Sequence, residues 1–138
     1  MFVKLDLIAQ IHDPKRQDLY TYYFFSKKHN ILLPIETPKK PEDINPMALI
    51  LYSVLKNFYI NIKRVIIYLH KENKYYTYLS LENKQGSYEL NCDLFDILDI
   101  YPKALYPIYI KKDLLTNNGI KITKSLLLKA LSEDIYNV

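Results

Sequence analysis

The fold of this chain is decided by the stretch YYTYLSLENKQGSYELNC, residues 75–92. Its pattern predicts a strand over Tyr75–Leu81, a turn over Asn83–Gly86 and a second strand over Tyr88–Cys92. The stretch LYTYYFFSKKHNILLPIE, residues 19–36, aligns with it without a gap and shares a Tyr-Thr-Tyr run and a lysine in the turn. We therefore predict two related hairpins in one chain.

Each predicted hairpin is preceded in the chain by a further strand and followed by a helix. Apolar patterns predict the preceding strands over 3–11 and 62–69. The helices that follow begin at Asn45 and Asp93, residue types that favour the N-cap position. The chain therefore reads strand-strand-strand-helix twice.

The repeat sets the domain organisation. Its halves cover about 1–58 and 61–104, and duplicated units of this kind commonly pack on one core. We therefore predict a single α+β domain over residues 1–115. Residues 116–138 are predicted to be a helical extension packed on the same domain, with Thr123 as the N-cap of its last helix.

The amino-acid composition excludes several classes of functional site but does not identify a function. Of the 138 residues, 49% are hydrophobic and 25% are charged, which is typical of a globular domain. Two glycines exclude a glycine-rich nucleotide loop, and one cysteine excludes a disulfide framework and a cysteine-based zinc site. An N-terminus interrupted by charges, and a longest uncharged stretch of only Ile44–Leu55, predict a cytoplasmic protein with no membrane partner.

Four short stretches carry a family resemblance. They are Leu33-Pro34-Ile35, Arg64-Val65-Ile66-Ile67, Leu90-Asn91 and Pro107-Ile108-Tyr109-Ile110. In order and spacing they resemble pieces of the bifunctional nuclease (BFN) domain family, from about Met1 to Leu115. The resemblance implies a compact α+β fold, often dimeric, with nuclease action on DNA and RNA.

The chain departs from that family at the positions where the resemblance places chemistry. The family's Arg-Pro-Ser-Asp falls on Asp93-Leu94-Phe95-Asp96, of which only the final aspartate is kept. Its Thr-His-Asp falls near Met47-Ala48-Leu49, where no residue type is kept. Two hypotheses follow: a metal-dependent nuclease with Asp96 and Asp93 as catalytic residues, or a degenerate, dimeric binding or regulatory module on the same fold.

Three aspartates form the sharpest candidate site. Asp93, Asp96 and Asp99 are spaced three residues apart, which on a helix gives one surface strip. Clustered carboxylates suit Mg²⁺ or Mn²⁺, and such an ion can activate water against a phosphodiester. The alternative is structural, because Asp93 is a suitable N-cap and acidic residues are favoured near a helix N-terminus.

Basic residues supply a second candidate site. The chain has 19 Lys and Arg and a net charge of +4, which is compatible with nucleic acid as a partner. The predicted nucleic-acid contacts come from pairs of cations interleaved with tyrosines, namely Lys27, Lys28, Lys63, Arg64, Lys111 and Lys112. The alternatives are a solvated surface, with the tyrosines packed within strands, or a homodimer formed through tyrosine-rich strand edges.

Overall fold

The computed structural model describes residues 1–12, 15, 19–38, 45–100 and 106–129. In this part of the chain the first elements are β1 Phe2–His12, β2 Tyr20–Ser26, β3 Ile31–Thr37 and α1 Pro46–Asn57. The next are β4 Asn61–Lys71, β5 Lys74–Asn83, β6 Gly86–Asp93 and α2 Leu94–Ile100. The last are β7 Ile108–Lys111, α3 Lys112–Asn118, β8 Ile120–Lys121 and a short helix, α4, over 124–129.

The strands form one mixed sheet in the order β6-β5-β4-β7-β1-β2-β3-β8. Among the described strands, neighbours are antiparallel except β4 and β7, which run parallel. The α+β class predicted from the sequence is confirmed. In chain order, three strands followed by a helix occur twice.

Strand β7 joins the two groups of three strands. It pairs antiparallel with β1, where Val3 lies opposite Ile110, and parallel with β4, where Val65 lies opposite Ile108. Ile108 and Ile110 are only 2% and 0% exposed, as expected for a strand with neighbours on both sides. No local pattern in the sequence indicates that this strand lies at the centre of the sheet.

Helices α1, α2 and α3 pack on one face of the sheet. Val65 and Ile67 of β4 and Leu79 of β5 are fully buried, and they share a single hydrophobic core with Leu94 of α2 and Leu115 of α3. Burying an aliphatic side chain of this size contributes roughly 1.5–3 kcal/mol to the stability of the folded state. This shared core holds both groups of strands together.

Helix α1 begins where the sequence predicts. Asn45 has extended backbone, and its Oδ1 accepts a hydrogen bond from the Met47 N–H at 3.0 Å. Pro46 occupies the first helical position, where its missing N–H costs no hydrogen bond. Ala48 and Leu55 bury the inner side of the helix against the core.

The segment predicted as a helical extension is not helical throughout. Residues Ile120–Lys121 form β8, which pairs with Ile31 and Leu32 at the start of β3. Thr123 Oγ1 then accepts a hydrogen bond from the Leu126 N–H at 3.1 Å and caps α4. Residues 130–138 lie outside the described part of the chain. Among the described helices, none is long and apolar enough to cross a membrane.

Gly119 ends α3 where the chain turns back toward β3. A Cβ at this position would lie against Ile31 Cγ2 and 2.7 Å from the Leu115 carbonyl oxygen. We expect Gly119→Ala to lower the free energy of unfolding by about 1–3 kcal/mol, because crowding a packed site forces backbone shifts. Urea denaturation followed by circular dichroism measures this. Asn117→Ala, at an exposed position of the same helix, is the control, and an equal loss in both variants would contradict the steric explanation.

Candidate functional site

The three aspartates predicted to bind a metal lie at the junction of α2 and α1. Asp93 Oδ1 accepts a hydrogen bond from the Phe95 N–H at 2.9 Å and so caps α2. Asp96 Oδ1 accepts one from Asn45 Nδ2 at 2.9 Å. Asp99 Oδ2 accepts one from the Asn45 backbone N–H at 3.2 Å. Each carboxylate is therefore bonded to the start of a helix.

The same junction brings together the two stretches on which the resemblance places family motifs. Met47–Leu49 lies in the first turn of α1, and the side chain of the N-cap Asn45 reaches Asp96 of α2. Across the described ranges, no group of three His, Cys, Asp or Glu side chains is arranged to hold a metal ion. The junction as it stands ties two helices together.

Cys92 and His29 have pKa values shifted in opposite directions. Cys92 is half-buried at the end of β6, and burial, followed by the charges of Asp96 and Asp93, raises the pKa of its thiol. An activated cysteine needs the opposite shift. His29 lies in the β2–β3 turn, where partial burial and neighbouring lysines lower the pKa of its imidazole.

The side of the sheet away from α1, α2 and α3 carries four tyrosines that lie on neighbouring strands. We call it the tyrosine face, and its members are Tyr68, Tyr76, Tyr78 and Tyr109. Side chains alternate along a strand, so Tyr78 lies on the opposite side from its buried neighbour Leu79. Ile66 of β4 pairs in register with Tyr78 on one side and Tyr109 on the other. Ile66 is 2% exposed although it lies outside the helix-side core, and Tyr78 and Tyr109 are its neighbours on the two adjacent strands.

The rings of this face lie close together. The centroids of Tyr68 and Tyr78 are 5.5 Å apart with the ring planes at 44°. Lys74 Nζ lies 5.5 Å from the centroid of Tyr76. All four tyrosines are half-buried, and α1, α2 and α3 pack on the other side of the sheet. In the described part of the chain, the face therefore presents aromatic surface to solvent.

Exposed cations share the tyrosine face. Lys4 of β1 pairs in register with Tyr109, so the two side chains are neighbours on one side of the sheet. Arg64 and Lys111 alternate with core residues of β4 and β7 and lie on the same side. All three are exposed. Aromatic rings and exposed cations are thus combined on one surface.

Carboxylates also occur on this side. Glu82 Oε2 lies 2.7 Å from Lys63 Nζ, so its charge is balanced by an ion pair. Asp6 and Glu89 belong to β1 and β6, the strands that flank the tyrosine-bearing β5, β4 and β7. Asp93 of β6 pairs in register with Tyr76, so carboxylates as well as cations lie on the tyrosine face.

The tyrosine face does not include three of the other cations predicted to bind nucleic acid, Lys27, Lys28 and Lys112. Lys27 and Lys28 form the turn between β2 and β3, and Lys112 is the first residue of α3. Lys63 is in the ion pair with Glu82. Adjacent residues of a regular strand point to opposite sides, so a pair of neighbouring cations seldom serves one surface.

The structure thus brings together Arg64 and Lys111 of the predicted set and adds Lys4, which the sequence analysis missed. Lys4 has no basic neighbour, so a search for paired cations overlooks it. Its alternation with Val3 and Leu5, which are 4% and 2% exposed, was the available signal.

An open groove of about 860 Å³ lies where β4 begins and β5 ends. It is lined by the link between α1 and β4, Phe58–Asn61, and by the β5–β6 turn, Glu82–Gln85. Phe58 and Tyr59 are 70% and 86% exposed, and the groove is lined by no residue of either predicted site. The candidate functional surface is therefore the tyrosine face.

No family model matches the chain, and no curated protein matches it at a significant level. The resemblance to the BFN family therefore stays a prediction. Evidence on function comes from the tyrosine face and from the junction of α1 and α2.

Proposed function

We propose that this protein is a non-catalytic binding module for single-stranded nucleic acid, with the tyrosine face as the platform for the bases. One observation carries the proposal, a row of side chains across four adjacent strands. The row consists of Tyr78, Ile66, Tyr109 and Lys4. It combines two aromatic residues, the apolar residue between them and a cation, on the side of the sheet opposite the described core.

The tyrosine rings can stack on bases of any nucleotide sequence. Every base has a flat face, and stacking on an aromatic side chain contributes roughly 1–3 kcal/mol per base. Tyr78 and Tyr109 are held on either side of the buried Ile66, so their positions are fixed before a ligand arrives. Fixed rings lower the entropic cost of binding.

The cations supply the contact with phosphate. Lys4, Arg64 and Lys111 are exposed beside the rings, where their charged groups can follow a backbone that passes over the face. Each phosphate that is neutralised releases counterions, so affinity falls as salt rises, with a slope of roughly 0.7 per contact for a single strand. Bases in a duplex are already stacked on each other, so we expect single strands to bind better than duplexes.

The junction of α1 and α2 argues for binding without cleavage. Asp96 and Asp99 accept hydrogen bonds from Asn45, and Asp93 caps α2, so all three carboxylates have structural partners. A site that activates water with Mg²⁺ or Mn²⁺ needs carboxylate oxygens directed at one point. The metal-dependent nuclease implied by the resemblance is the alternative function.

Fluorescence anisotropy with labelled oligothymidylate, oligouridylate and a matched duplex tests the proposed function. We expect both single strands to bind more tightly than the duplex, with affinity that falls as sodium chloride is raised. Equal affinity for duplex and single strand would indicate a charge effect alone. Absence of binding at low salt would overturn the proposal.

A second assay separates binding from cleavage. We expect single-stranded and duplex DNA and RNA to stay intact with Mg²⁺ or Mn²⁺, as they do with EDTA, and gel electrophoresis measures this. Asp96→Asn is the paired variant, because it removes the charge and keeps the shape. Metal-dependent cleavage that Asp96→Asn abolishes would make the protein a nuclease and would restore the predicted catalytic site.

A further inference from the structure

Strand β6 is the end strand of the sheet, and it is unusually regular for such a position. Its pairing with β5 runs without a register shift from Asp93 opposite Tyr76 to Gly86 opposite Asn83. Edge strands of natural sheets usually do not pair with other chains, because they are short or contain a bulge, a proline or a lysine. β6 has eight residues and contains neither proline nor lysine. At the other end of the described sheet, β8 has only two residues.

The side chains of β6 also resemble those of an interface. Seven of its eight residues are exposed, and Cys92 is half-buried. Tyr88 and Leu90 are 48% and 38% exposed, and they lie opposite the core residues Leu81 and Leu79. The helix side of the sheet therefore continues into an apolar strip at its edge, beside a row of backbone groups that no described strand pairs.

We propose that β6 pairs antiparallel with β6 of a second copy of this chain, about a two-fold axis that passes through Leu90. In this register Leu90 faces Leu90 of the other copy, and Tyr88 faces Cys92. On the opposite side, Glu89 faces Asn91 and Ser87 faces Asp93. Directly opposed residues lie on one side of a sheet, so apolar groups meet apolar groups and each carboxylate meets a neutral polar group.

Neighbouring registers lack this complementarity. An axis at Glu89 would place two glutamates opposite each other, and an axis at Asn91 would place Glu89 opposite Asp93. Like charges directly opposed are destabilising. An axis between two residues would place apolar side chains of one copy against polar side chains of the other. The sequence of β6 is therefore self-complementary in one register, which pairs all of its residues except Gly86 and favours a second copy as the occupant of this edge.

Sedimentation equilibrium and a pair of charge variants test the proposal. We expect the wild-type protein to be a dimer. Leu90→Lys and Leu90→Glu should each be monomeric, since each places two like charges at the axis. Mixed in equal amounts, they should form a dimer again, because Lys now faces Glu. Circular dichroism should show that each variant is folded, because Leu90 is 38% exposed.

Cross-linking tests the register itself. In a Cys92→Ser background, Leu90→Cys should give a disulfide-linked dimer on mild oxidation, since the two new thiols face each other. Leu69→Cys in the same background is the control, because Leu69 is 42% exposed but lies on β4. A wild-type monomer, a Leu90→Lys dimer or equal cross-linking of the two cysteine variants would overturn the proposal. These outcomes do not depend on nucleic-acid binding, so this pairing and the proposed function can fail separately.

Discussion

Replacing Arg64 and Lys111 together with Glu should weaken the binding of single-stranded DNA or RNA by roughly 100- to 1,000-fold at low salt. A charge pair at contact distance is worth about 1 kcal/mol in water. Each reversal removes one attraction and adds one repulsion, so two reversals cost about 4 kcal/mol. Both side chains are exposed on the tyrosine face, so we expect the fold to be unaffected.

The control is a second double variant with the same change in net charge, made at two lysines outside the tyrosine face. Lys56 lies at the end of α1 and Lys124 at the start of α4, and both are exposed. We expect the Lys56→Glu and Lys124→Glu double variant to lose only a few-fold in affinity. Anisotropy titrations across salt concentrations should also show a smaller salt slope for the Arg64 and Lys111 variant, by about 1.4 for two lost contacts. Equal losses in the two double variants would show that net charge, and not the tyrosine face, governs binding.

Replacing Asn45 with Ala should lower the free energy of unfolding by about 2–4 kcal/mol. Asn45 caps α1 through Met47 and donates from its side chain to Asp96 at 2.9 Å. Loss of an N-cap costs about 1 kcal/mol, and loss of a hydrogen bond to a charged group costs about 1.5–3 kcal/mol. Urea denaturation measures the change. Asn57→Ala, at the exposed end of the same helix, is the control and should change stability little.

The Asp96 side of this contact separates a structural role from a catalytic one. The oxygen of an asparagine can still accept the hydrogen bond from Asn45, so Asp96→Asn should keep more stability than Asp96→Ala. In a metal site the two substitutions would be equally damaging, because both remove the charged ligand. Wild-type stability in both Asp96→Ala and Asn45→Ala would contradict the structural role of the junction.

Local patterns in the sequence were sufficient for the hairpins and for the first helix. The predicted strands Tyr75–Leu81 and Tyr88–Cys92 lie within the observed β5 and β6, because alternation and turn residues act over a few positions. The start of α1 after Asn45 was also predictable, since an N-cap followed by proline is a local signal.

Contacts between distant residues were not predictable in this way. The hydrogen bonds from Asn45 to Asp96 and Asp99 span 51 and 54 residues, and no local pattern specifies them. The same holds for Lys4, which reaches the tyrosine face only because β1 pairs with β7. Periodicity assigns a residue to one side of its own strand, and the order of the strands decides which residues of other strands lie beside it.

The central position of β7 also has a consequence for how the chain reaches its native state. During synthesis, β1 and β4 are complete long before residues 108–111 leave the ribosome, and each then has one edge without its native neighbour. The middle of the sheet forms only when β7 inserts between β1 and β4. In the folded protein, Met1 O accepts a hydrogen bond from the Lys112 N–H at 3.0 Å. Pairing across so long a stretch is slow to form. Nascent chains of this protein therefore expose two strand edges for an extended time, and a chaperone that shields such edges would raise the yield of folded protein.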